Sequence, residues 1–403
     1  MEDTSHLVSR HLVSRMRGFG TTIFSEMSAL AVRTGSINLG QGFPDTDGPA
    51  EVLDAAVEAI RAGYNQYPPG RGIPTLRQAI ADHQHRYYGL SYDPDREVLV
   101  TAGATEAIAA TILALCETGD EVVVLEPTYD SYSASIALAG AVMRPATLHH
   151  PDYRVDIDAV RAAVSPRTRL LLVNSPHNPT GRVLDRAELS AIADIAAERD
   201  LIVVTDEVYE HLAFDGEHIP MATLPGMRDR TITISSAGKT FSCTGWKIGW
   251  VCASPALIDA VGTTKQFLTY VNGAPFQHAI VAGLALPEAR IEAIRTNLRD
   301  RRDQLHNGLM TAGLDVHPCQ GTYFLTVDVA SLGETDGLAF CRALAERIGV
   351  VGIPSSVFYL DPGPARSLVR FAFCKRPDVV DEAVRRLAAL GRHTSSGRVR
   401  SPA

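Results

Sequence analysis

Residues 231–240 read Thr-Ile-Thr-Ile-Ser-Ser-Ala-Gly-Lys-Thr, so a β-branched run leads into small and hydroxyl side chains and then into Lys239. A run of this kind favours a buried strand. A lysine beyond such a strand is a covalent nucleophile only if a desolvated pocket keeps part of its amine uncharged. Taken alone, a Ser-x-x-Lys stretch is more often a surface lysine in a turn, so the rest of the chain has to decide between the two interpretations.

Five further apolar runs have the character of strands, and helical patterns separate them between about residues 50 and 285. Residues 107–116 and 189–199 have the spacing of amphipathic or buried helices. Apolar strands that alternate with helices indicate a largely parallel sheet covered on both faces, which is the core of an α/β layer domain. The five runs are Val98–Thr101, Val122–Leu125, Leu170–Val173, Leu201–Val204 and Ile248–Val251.

The pattern changes after about residue 286, which predicts a second and smaller domain of the α+β class. Its expected elements are a charged helix at 287–309, a strand at 322–327, a helix at 337–348, a strand at 368–373 and a last helix ending near residue 390.

The chain is expected to have four parts, although no low-complexity linker marks a boundary between them. The tail consists of small and polar residues, and we expect it to be disordered. The four parts are an N-terminal arm that joins the small domain (1–45), a large α/β domain (46–285), a small C-terminal domain (286–393) and the tail (394–403).

Composition excludes several classes of protein. The 403 residues carry a formal net charge of −8 without a dense basic stripe, which argues against a nucleic-acid binder. Six cysteines without a Cys-x-x-Cys pair fit reduced thiols in a cytoplasmic protein, and the sequence predicts no metal site. The N-terminus lacks the apolar core of a signal peptide, and no uncharged apolar run reaches membrane-spanning length. His-Leu-Val-Ser-Arg occurs at 6–10 and again at 11–15, and we assign this repeat no function.

Unusual residues follow the predicted strands at their carboxyl ends, the edge where open α/β sheets bind ligands. Gly103-Ala104-Thr105-Glu106 opens a helix and suits a phosphate group, although a plain helix cap explains it equally well. Tyr129 follows the second strand and could lie against a planar ring, but a core or surface aromatic is the commoner interpretation. Asn178 stands between two prolines after the third strand, so its amide is either a rigid donor or part of an ordinary turn.

Asp206 closes the fourth strand, and Lys239 follows the fifth. A carboxylate at the end of an apolar strand is costly unless a cation or a protonated ligand nitrogen pairs with it, and an exposed strand end would remove that cost. Pyridoxal 5′-phosphate needs the combination that these strand ends offer. Its aldehyde takes a lysine, its ring nitrogen an anion, its phenolic oxygen hydrogen-bond donors, and its phosphate N–H groups and a cation. The sequence therefore predicts a pyridoxal-phosphate site at this edge.

Six motifs make the chain resemble the class I/II aminotransferases of pyridoxal-phosphate fold type I, over nearly the whole length from Asn38 to Phe373. The resemblance implies an α/β fold with a large, mostly parallel sheet domain covered by helices and a smaller α+β domain. Within the class, the chain is similar to the kynurenine, methionine and glutamine aminotransferases and to actinobacterial succinyldiaminopimelate aminotransferases. The motifs are Asn38–Asp45, Asn65–Tyr67, Ser175–Gly181, Asp206–Tyr209, Ser236–Trp250 and Arg370–Phe373.

The resemblance implies a role for each candidate site residue. Lys239 would bind the cofactor's aldehyde and later carry a proton, Asp206 would pair with the ring nitrogen, and Tyr209 would be the third catalytic residue. Further cofactor contacts would come from Gly103, Ala104, Thr105, Ser236 and Lys247 around the phosphate, from Tyr129 stacked on the ring, and from Asn178 and Tyr209 at the phenolic oxygen. Many members of the class carry arginine where this chain has Lys247, but lysine is common in this branch.

Substrate and partner residues also follow from the resemblance. Arg370 would bind the substrate carboxylate, a task that suits a planar guanidinium. The alternative interpretation is a strand arginine that forms an ion pair at the surface. Gly42 and Asn178 would add contacts on the same side, and Phe24 would line the side-chain pocket. Tyr67 would reach into the site of a second subunit, which implies a homodimer.

These roles imply an enzyme that moves an amino group from an amino acid to a 2-oxo acid, expected to be 2-oxoglutarate, in two half-reactions. A cysteine-S-conjugate β-lyase would use the same cofactor residues. A DNA-binding regulator is disfavoured, because the residues before Asn38 are too few and not basic enough. The donor stays open between N-succinyl-LL-2,6-diaminopimelate, which similarity favours, and methionine, kynurenine or glutamine, which Phe24 would suit. The succinylated donor should require a second cation, for which Arg17 and Lys265 are candidates.

Overall fold

The computed structural model describes residues 11–20 and 22–395, with side chains up to residue 390. The first copy of the repeat, residues 6–10, and residues 396–403 of the predicted tail lie outside the described residues. The strands are β1 (Ile37–Asn38), β2 (Val98–Ala102), β3 (Glu121–Glu126), β4 (Val142–Thr147), β5 (Thr168–Asn174), β6 (Ile202–Asp206), β7 (Thr231–Ser236), β8 (Ile248–Cys252), β9 (Asp315–Val316), β10 (Phe324–Asp328), β11 (Val350–Val351), β12 (Ile353–Pro354) and β13 (Leu368–Ala372).

The helices alternate with these strands along most of the chain. They are α1 (Ile23–Thr34), α2 (Ala50–Arg61), α3 (Pro74–Tyr88), α4 (Gly103–Leu115), α5 (Asp130–Ala139), α6 (Ile157–Ala163), α7 (Arg186–Glu198), α8 (Ala237–Thr240), α9 (Pro255–Lys265), α10 (Ala274–Leu284), α11 (Glu288–Thr311), α12 (Gly337–Arg347) and α13 (Pro377–Ser395).

Seven strands form the large sheet in the order β2-β8-β7-β6-β5-β3-β4. Neighbouring strands pair in parallel except at β8, which is antiparallel to both β2 and β7. Strands β3, β7 and β8 are buried at every residue, as expected where helices cover both faces. The predicted α/β architecture with a mostly parallel sheet is therefore confirmed.

Two apolar layers hold the helices against this sheet, one on each face. On one face, Ile108 of α4, Ile136 of α5 and Val261 of α9 belong to a single buried cluster. On the other, Val160 of α6 and Ile192 of α7 pack into a second cluster. Because helices cover both faces of the sheet in this way, a ligand is expected at the carboxyl ends of the strands.

One strand of the large sheet is absent from the sequence prediction. Strand β4 contains Arg144 and Pro145, and Ala146 is its single fully buried residue, so its sequence lacks an apolar run. It lies at the sheet edge and pairs with β3 alone. An edge strand tolerates proline because its outer side forms no ladder hydrogen bonds, which explains why this strand is inconspicuous in the sequence.

Two glycines allow the start of α4 to approach β8 closely. A Cβ at Gly249 would lie 2.6 Å from the carbonyl carbon of Gly103 and 2.8 Å from the nitrogen of Ala104. Gly103 itself has a φ of +74°, a conformation that side chains rarely adopt. The first turn of α4 is thereby held beside the ends of the central strands, where the candidate site lies.

The C-terminal part builds a four-stranded antiparallel sheet in the order β12-β13-β10-β9. The expected strand at 322–327 begins two residues later, at Phe324, because Thr322 has a φ of +71°, outside the extended region. Met27 of α1, Leu305 of α11 and Leu344 of α12 share one core around this sheet, and β1 pairs with β11. The exact domain boundaries stay a prediction.

No helix in the described part of the chain has the length and apolar character that a membrane crossing requires.

Candidate active site

A cavity of about 320 Å³ opens at the strand ends of the large sheet, and the small sheet closes one side of it. Strands β5, β6 and β7 each end at this cavity, in Asn174, Asp206 and Ser236. Its other lining residues include Phe24, Gln41, Gly42, Phe43, Gly103, Ala104, Thr105, Tyr129, Asp130, Asn178, Val208, Tyr209, Lys239, Lys247, Phe324 and Arg370. The structure therefore brings the residues predicted to bind cofactor and substrate to one cavity, except Tyr67 and the two candidates for a second cation, Arg17 and Lys265.

Lys239 lies in the short helix α8 directly after β7, with its amine inside the cavity. Nζ is 3.4 Å from the carbonyl oxygen of Gly42 and about equally far from the ring centroids of Tyr209 (5.5 Å) and Tyr323 (5.6 Å). Burial lowers the pKa of Lys239, and the charges of Arg370 and Lys247 also lower it, against the opposing charge of Asp206. The interpretation of Lys239 as a surface lysine is wrong, and its amine has the environment of a nucleophile.

Asp206 ends β6 as a buried carboxylate, 5% exposed. The hydroxyl of Tyr132 donates to Oδ2 at 2.6 Å, and the backbone N–H of Val208 donates to Oδ1 at 3.3 Å. Burial raises the pKa of Asp206, while these two hydrogen bonds and the positive charge of Lys239 lower it. The alternative of an exposed strand end is therefore wrong, and the cost of burying this carboxylate calls for a cationic or protonated partner.

Arg370, in the middle of β13, reaches the cavity from the small sheet and is 2% exposed. Its guanidinium lies over three aromatic rings, at 3.8 Å from the centroid of Phe324, 4.6 Å from Phe358 and 5.4 Å from Phe24. It donates to Oδ1 of Asn178 at 2.9 Å. Burial lowers the pKa of Arg370 to about 10, so the group stays cationic at neutral pH.

The guanidinium of Arg370 also has spare hydrogen-bonding capacity. Its Nε is buried and has no hydrogen-bond partner among the described residues. A buried donor without a partner is costly, so this nitrogen is suited to an incoming anion such as a carboxylate. The alternative of a strand arginine in a surface ion pair does not fit this environment.

One corner of the cavity combines the start of α4 with Ser236 and Lys247. Gly103, Ala104 and Thr105 are the first residues of this thirteen-residue helix, whose free N–H groups and dipole favour an anion. The Lys247 side chain packs on Gly103, since a Cβ at Gly103 would be 3.4 Å from Nζ. Tyr129 also lines the cavity.

Tyr67 lies outside the cavity of its own chain. Its side chain is 81% exposed and meets the edge of Tyr270, with ring centroids 5.6 Å apart. An exposed tyrosine at this position contributes to a cavity only if another molecule covers it.

Neither cation suggested for a second substrate carboxylate lines the cavity. The ammonium of Lys265 donates to the carbonyl oxygens of Gly70 (3.1 Å) and Tyr270 (2.7 Å), and Arg17 is exposed and donates to Leu12. Within a single chain the suggestion is therefore wrong, because both groups are committed elsewhere. Among the described residues, the cations of the cavity lining are Lys239, Lys247 and Arg370.

Several residues at the site were absent from the sequence prediction. Phe324 and Phe358 contact the Arg370 guanidinium, and Tyr323 donates to the backbone carbonyl of Lys239. These three could be found only from the tertiary structure, since they lie far from the strand-end motifs in sequence. Tyr132 did have a signal, because it follows the predicted site residue Tyr129 by only three residues in the chain.

These groups fit pyridoxal phosphate. The site offers an anion-binding corner, a buried carboxylate, a wall with a tyrosine ring and an amine of lowered pKa, and the unpaired Nε of Arg370 adds a place for a substrate carboxylate. The volume of about 320 Å³ is in the range of small-ligand sites. Fold and site together define a pyridoxal-phosphate-dependent transferase of fold type I.

Comparison with known proteins identifies the family. The sequence profile described as "Aminotransferase class I and II" matches residues 34–387, so the chain belongs to that family. The chain is 54% identical to the probable N-succinyldiaminopimelate aminotransferase DapC of Mycobacterium tuberculosis (strain H37Rv), over 94% of this chain and 98% of that protein. It is 41% identical to the methionine aminotransferase of Escherichia coli (strain K12), again over 94% and 98% of the two chains.

The solved structures agree with this assignment. The structure of N-succinyldiaminopimelate aminotransferase from M. tuberculosis superposes with a TM-score of 0.92 at 55% identity, covering 94% of this chain and all of that one. The chain is therefore a pyridoxal-phosphate-dependent aminotransferase, which confirms the predicted fold type, activity and cofactor. Because these relatives are aminotransferases, they lend no support to the β-lyase alternative.

Proposed function

We propose that this aminotransferase takes N-succinyl-LL-2,6-diaminopimelate as its amino donor and 2-oxoglutarate as its acceptor, in two half-reactions at one site. The observation that carries the proposal is the 54% identity to the M. tuberculosis protein along nearly the whole of both chains. The aligned region spans 94% of this chain and 98% of that protein, so it includes both domains and the segments that line the cavity. Similarity of this extent supports a shared donor more strongly than a shared fold does, because one fold hosts many activities.

Two residues would perform the proton chemistry. When bound, pyridoxal phosphate supplies the electron sink that makes the substrate's Cα–H bond acidic. Lys239 would hold the cofactor's aldehyde and, once the substrate amine replaces it, take the Cα proton on Nζ. The lowered pKa of Lys239 supports this role, because a general base must be partly neutral at working pH. Asp206 would hold a proton on the ring nitrogen by pairing with it as an anion.

The remaining cofactor contacts would fix the position of the ring. Gly103, Ala104 and Thr105 would receive the phosphate together with Ser236 and Lys247. Tyr129 would stack on the ring, while Asn178 and Tyr209 would donate to the phenolic oxygen. The proposal is supported by their common presence in the cavity lining.

Arg370 would bind the α-carboxylate of each substrate. A guanidinium held between three rings is orientationally restrained, so little entropy is lost when it forms a bidentate pair. Its free Nε would become one of the two donors. Asn178 and the backbone of Gly42 would contact the same carboxylate, and Phe24 would border the substrate side chain.

Apolar groups in the cavity favour a second candidate donor class. Phe24, Phe43 and Phe324 line it, and beyond Lys239, Lys247 and Arg370 the described lining offers no cation for a distal carboxylate. Methionine and kynurenine would suit such a wall, because burial of an apolar or aromatic side chain against aromatic rings is favourable, and the uncharged side chain of glutamine would need no distal cation.

A donor panel distinguishes the two classes. With 2-oxoglutarate as acceptor, the kcat/KM for N-succinyl-LL-2,6-diaminopimelate should be at least about tenfold above that for methionine, kynurenine or glutamine. A tenfold ratio corresponds to the free energy of about one additional favourable polar contact. Initial rates with each donor at subsaturating concentration measure this ratio. Equal or lower kcat/KM for the succinylated donor would reject it in favour of the apolar class.

We also propose a homodimer in which Tyr67 completes the partner's site. Five side chains from two nearby segments present large apolar surfaces to solvent, which is the composition of an interface. Tyr67 (81% exposed) and Phe267 (81%) are the most exposed of these, and the five are Tyr64, Tyr67, Phe267, Leu268 and Tyr270. We further propose a cytoplasmic location and the domain boundaries at 45/46 and 285/286.

Mixed dimers test the contribution of Tyr67. The homodimer of Tyr67→Ala should bind the cofactor about tenfold or more weakly, as expected for one lost hydrogen bond to a charged group. A dimer of one Lys239→Ala chain and one Tyr67→Ala chain should regain about half of wild-type activity, since one of its two sites is then intact. Differently tagged chains, purified through both tags, provide the sample. Activity no higher than that of the Tyr67→Ala homodimer would place Tyr67 in its own chain's site.

A further inference from the structure

Tyr132 makes the shortest contact to the buried carboxylate of Asp206. It lies in the first turn of α5, is 2% exposed, and donates from its hydroxyl to Oδ2 at 2.6 Å. The second contact, from the backbone N–H of Val208 to Oδ1, is longer at 3.3 Å. The side chain of Tyr132 is otherwise embedded in the apolar layer that packs α4 and α5 on the sheet.

Few groups determine whether the carboxyl group of Asp206 is ionised. Burial favours the neutral acid, and the negative charge of Glu207 acts in the same direction. Lys239 and the hydrogen bond from Tyr132 act in the opposite direction. Glu207 is itself paired with His218, whose Nε2 is 2.9 Å from a carboxylate oxygen of Glu207. The Lys239 amine would be bonded to the cofactor's aldehyde and would no longer be a free ammonium group. Tyr132 is then the main side chain that favours the ionised form of Asp206.

The direction of this hydrogen bond is also fixed. Burial and the neighbouring negative charge of Asp206 raise the pKa of Tyr132 well above its ordinary value, so the phenol keeps its proton. A phenol that stays protonated donates to the carboxylate and favours its ionised form. A neutral carboxylic acid could not hold a proton on a pyridine nitrogen by ion pairing, so the state of Asp206 decides whether the ring can accept electrons.

We propose that Tyr132 is a positioning residue of the transamination reaction, whose hydroxyl keeps Asp206 ionised and oriented toward the ring nitrogen of the cofactor. This inference rests on the role proposed above for Asp206. The start of α5 serves both purposes, because Tyr129 immediately precedes the helix and Tyr132 lies in its first turn, with their ring centroids 5.8 Å apart and their planes at 89°. Tyr129 would face the cofactor ring, while Tyr132 contacts Asp206, the residue proposed to pair with the ring nitrogen.

A double-mutant cycle separates this role from a structural one. Tyr132→Phe removes only the hydroxyl, and the rate of the first half-reaction, followed through the cofactor's absorbance, should fall about ten- to a hundredfold, as for a lost hydrogen bond to a charged group. In the Asp206→Asn background the same change should alter the rate by less than about threefold, since no charge remains to stabilise. A purely structural tyrosine would cause equal losses in both backgrounds, and that result would overturn the proposal.

A spectroscopic measurement supplies a readout independent of turnover. With cofactor labelled by ¹⁵N in its ring, the nitrogen resonance of the wild type should have the shift of a protonated pyridine, and Tyr132→Phe should move it toward the unprotonated value. An unchanged resonance in Tyr132→Phe would contradict the proposal. Tyr153→Phe is the matched control, because Tyr153 is equally buried and its hydroxyl bonds Nδ1 of His317 at 2.8 Å, outside the cavity lining.

The two possible failures are distinguishable. If Asp206→Asn itself leaves both the half-reaction and the nitrogen resonance unchanged, the role of Asp206 is wrong. If Asp206→Asn impairs both but Tyr132→Phe impairs neither, only the role of Tyr132 is wrong.

Discussion

Replacing Lys239 by alanine should abolish amino transfer, with a loss on the order of 10⁴-fold or more in kcat, because both the covalent attachment of the cofactor and the proton carrier disappear. The visible absorption band that reports attachment to a lysine should vanish from the purified variant. The variant should still bind the cofactor non-covalently, since Ser236, Lys247 and the start of α4, which form the anion-binding corner, are unchanged. Denaturation should therefore release cofactor from the purified variant. Absorbance spectra and a transamination assay measure the two effects.

Lys265→Ala is the matched control for this experiment. Lys265 is also a buried lysine of lowered pKa, but its ammonium binds the carbonyl oxygens of Gly70 and Tyr270 outside the cavity lining. This variant should keep the absorption band. Full activity in Lys239→Ala, or loss of the band in Lys265→Ala alone, would show that the nucleophile has been misassigned.

Replacing Asp206 by alanine should slow removal of the Cα proton by about 10²- to 10⁴-fold, while cofactor remains bound. Without the anion, the ring nitrogen loses its proton at neutral pH, and the ring no longer stabilises the negative charge that develops at Cα. Single-turnover mixing of the loaded enzyme with an α-deuterated and an undeuterated donor measures this step directly. A full deuterium effect is expected in the variant, because proton removal becomes rate-limiting.

Glu210→Gln is the control for Asp206→Ala, because it removes a buried carboxylate that lies outside the cavity lining. Glu210 is 6% exposed and accepts hydrogen bonds from Tyr88 (2.7 Å) and Ser235, but it does not line the cavity. Its replacement should lower the free energy of unfolding and change proton removal by less than about threefold. Near-normal proton removal in Asp206→Ala would refute the role proposed for that residue.

Residues that depend on strand order were predictable from the sequence. Asp206 and Lys239 lie shortly after the strand-forming runs Leu201–Val204 and Thr231–Ile234, and parallel strands bring their carboxyl ends to one edge whatever the connecting helices contain. The same reasoning extends to Asn178 and to the start of α4. Strand β4 was missed because its position at the edge removes the need for an apolar run and tolerates Pro145.

Residues that depend on packing between distant segments were not predictable from pattern. Strand pattern alone does not distinguish Arg370 from the other two arginines in the described strands, Arg144 and Arg169. Only the tertiary structure shows its guanidinium between Phe24, Phe324 and Phe358 with a free Nε. Lys265 was one of two candidates for a second substrate-binding cation, and the sequence could not show that its ammonium binds the carbonyl oxygens of Gly70 and Tyr270 instead.

By itself, the sequence determined the chemistry of this protein: an α/β sheet whose strand ends carry the lysine, the carboxylate and the anion-binding helix start of a pyridoxal-phosphate enzyme. The tertiary structure decided the electrostatic state of those groups, since burial, the Tyr132 hydroxyl and the aromatic rings around Arg370 come from segments far apart in the chain. The physical reason is that hydrogen-bonded strand geometry is encoded locally, whereas desolvation and charge pairing depend on which segments meet.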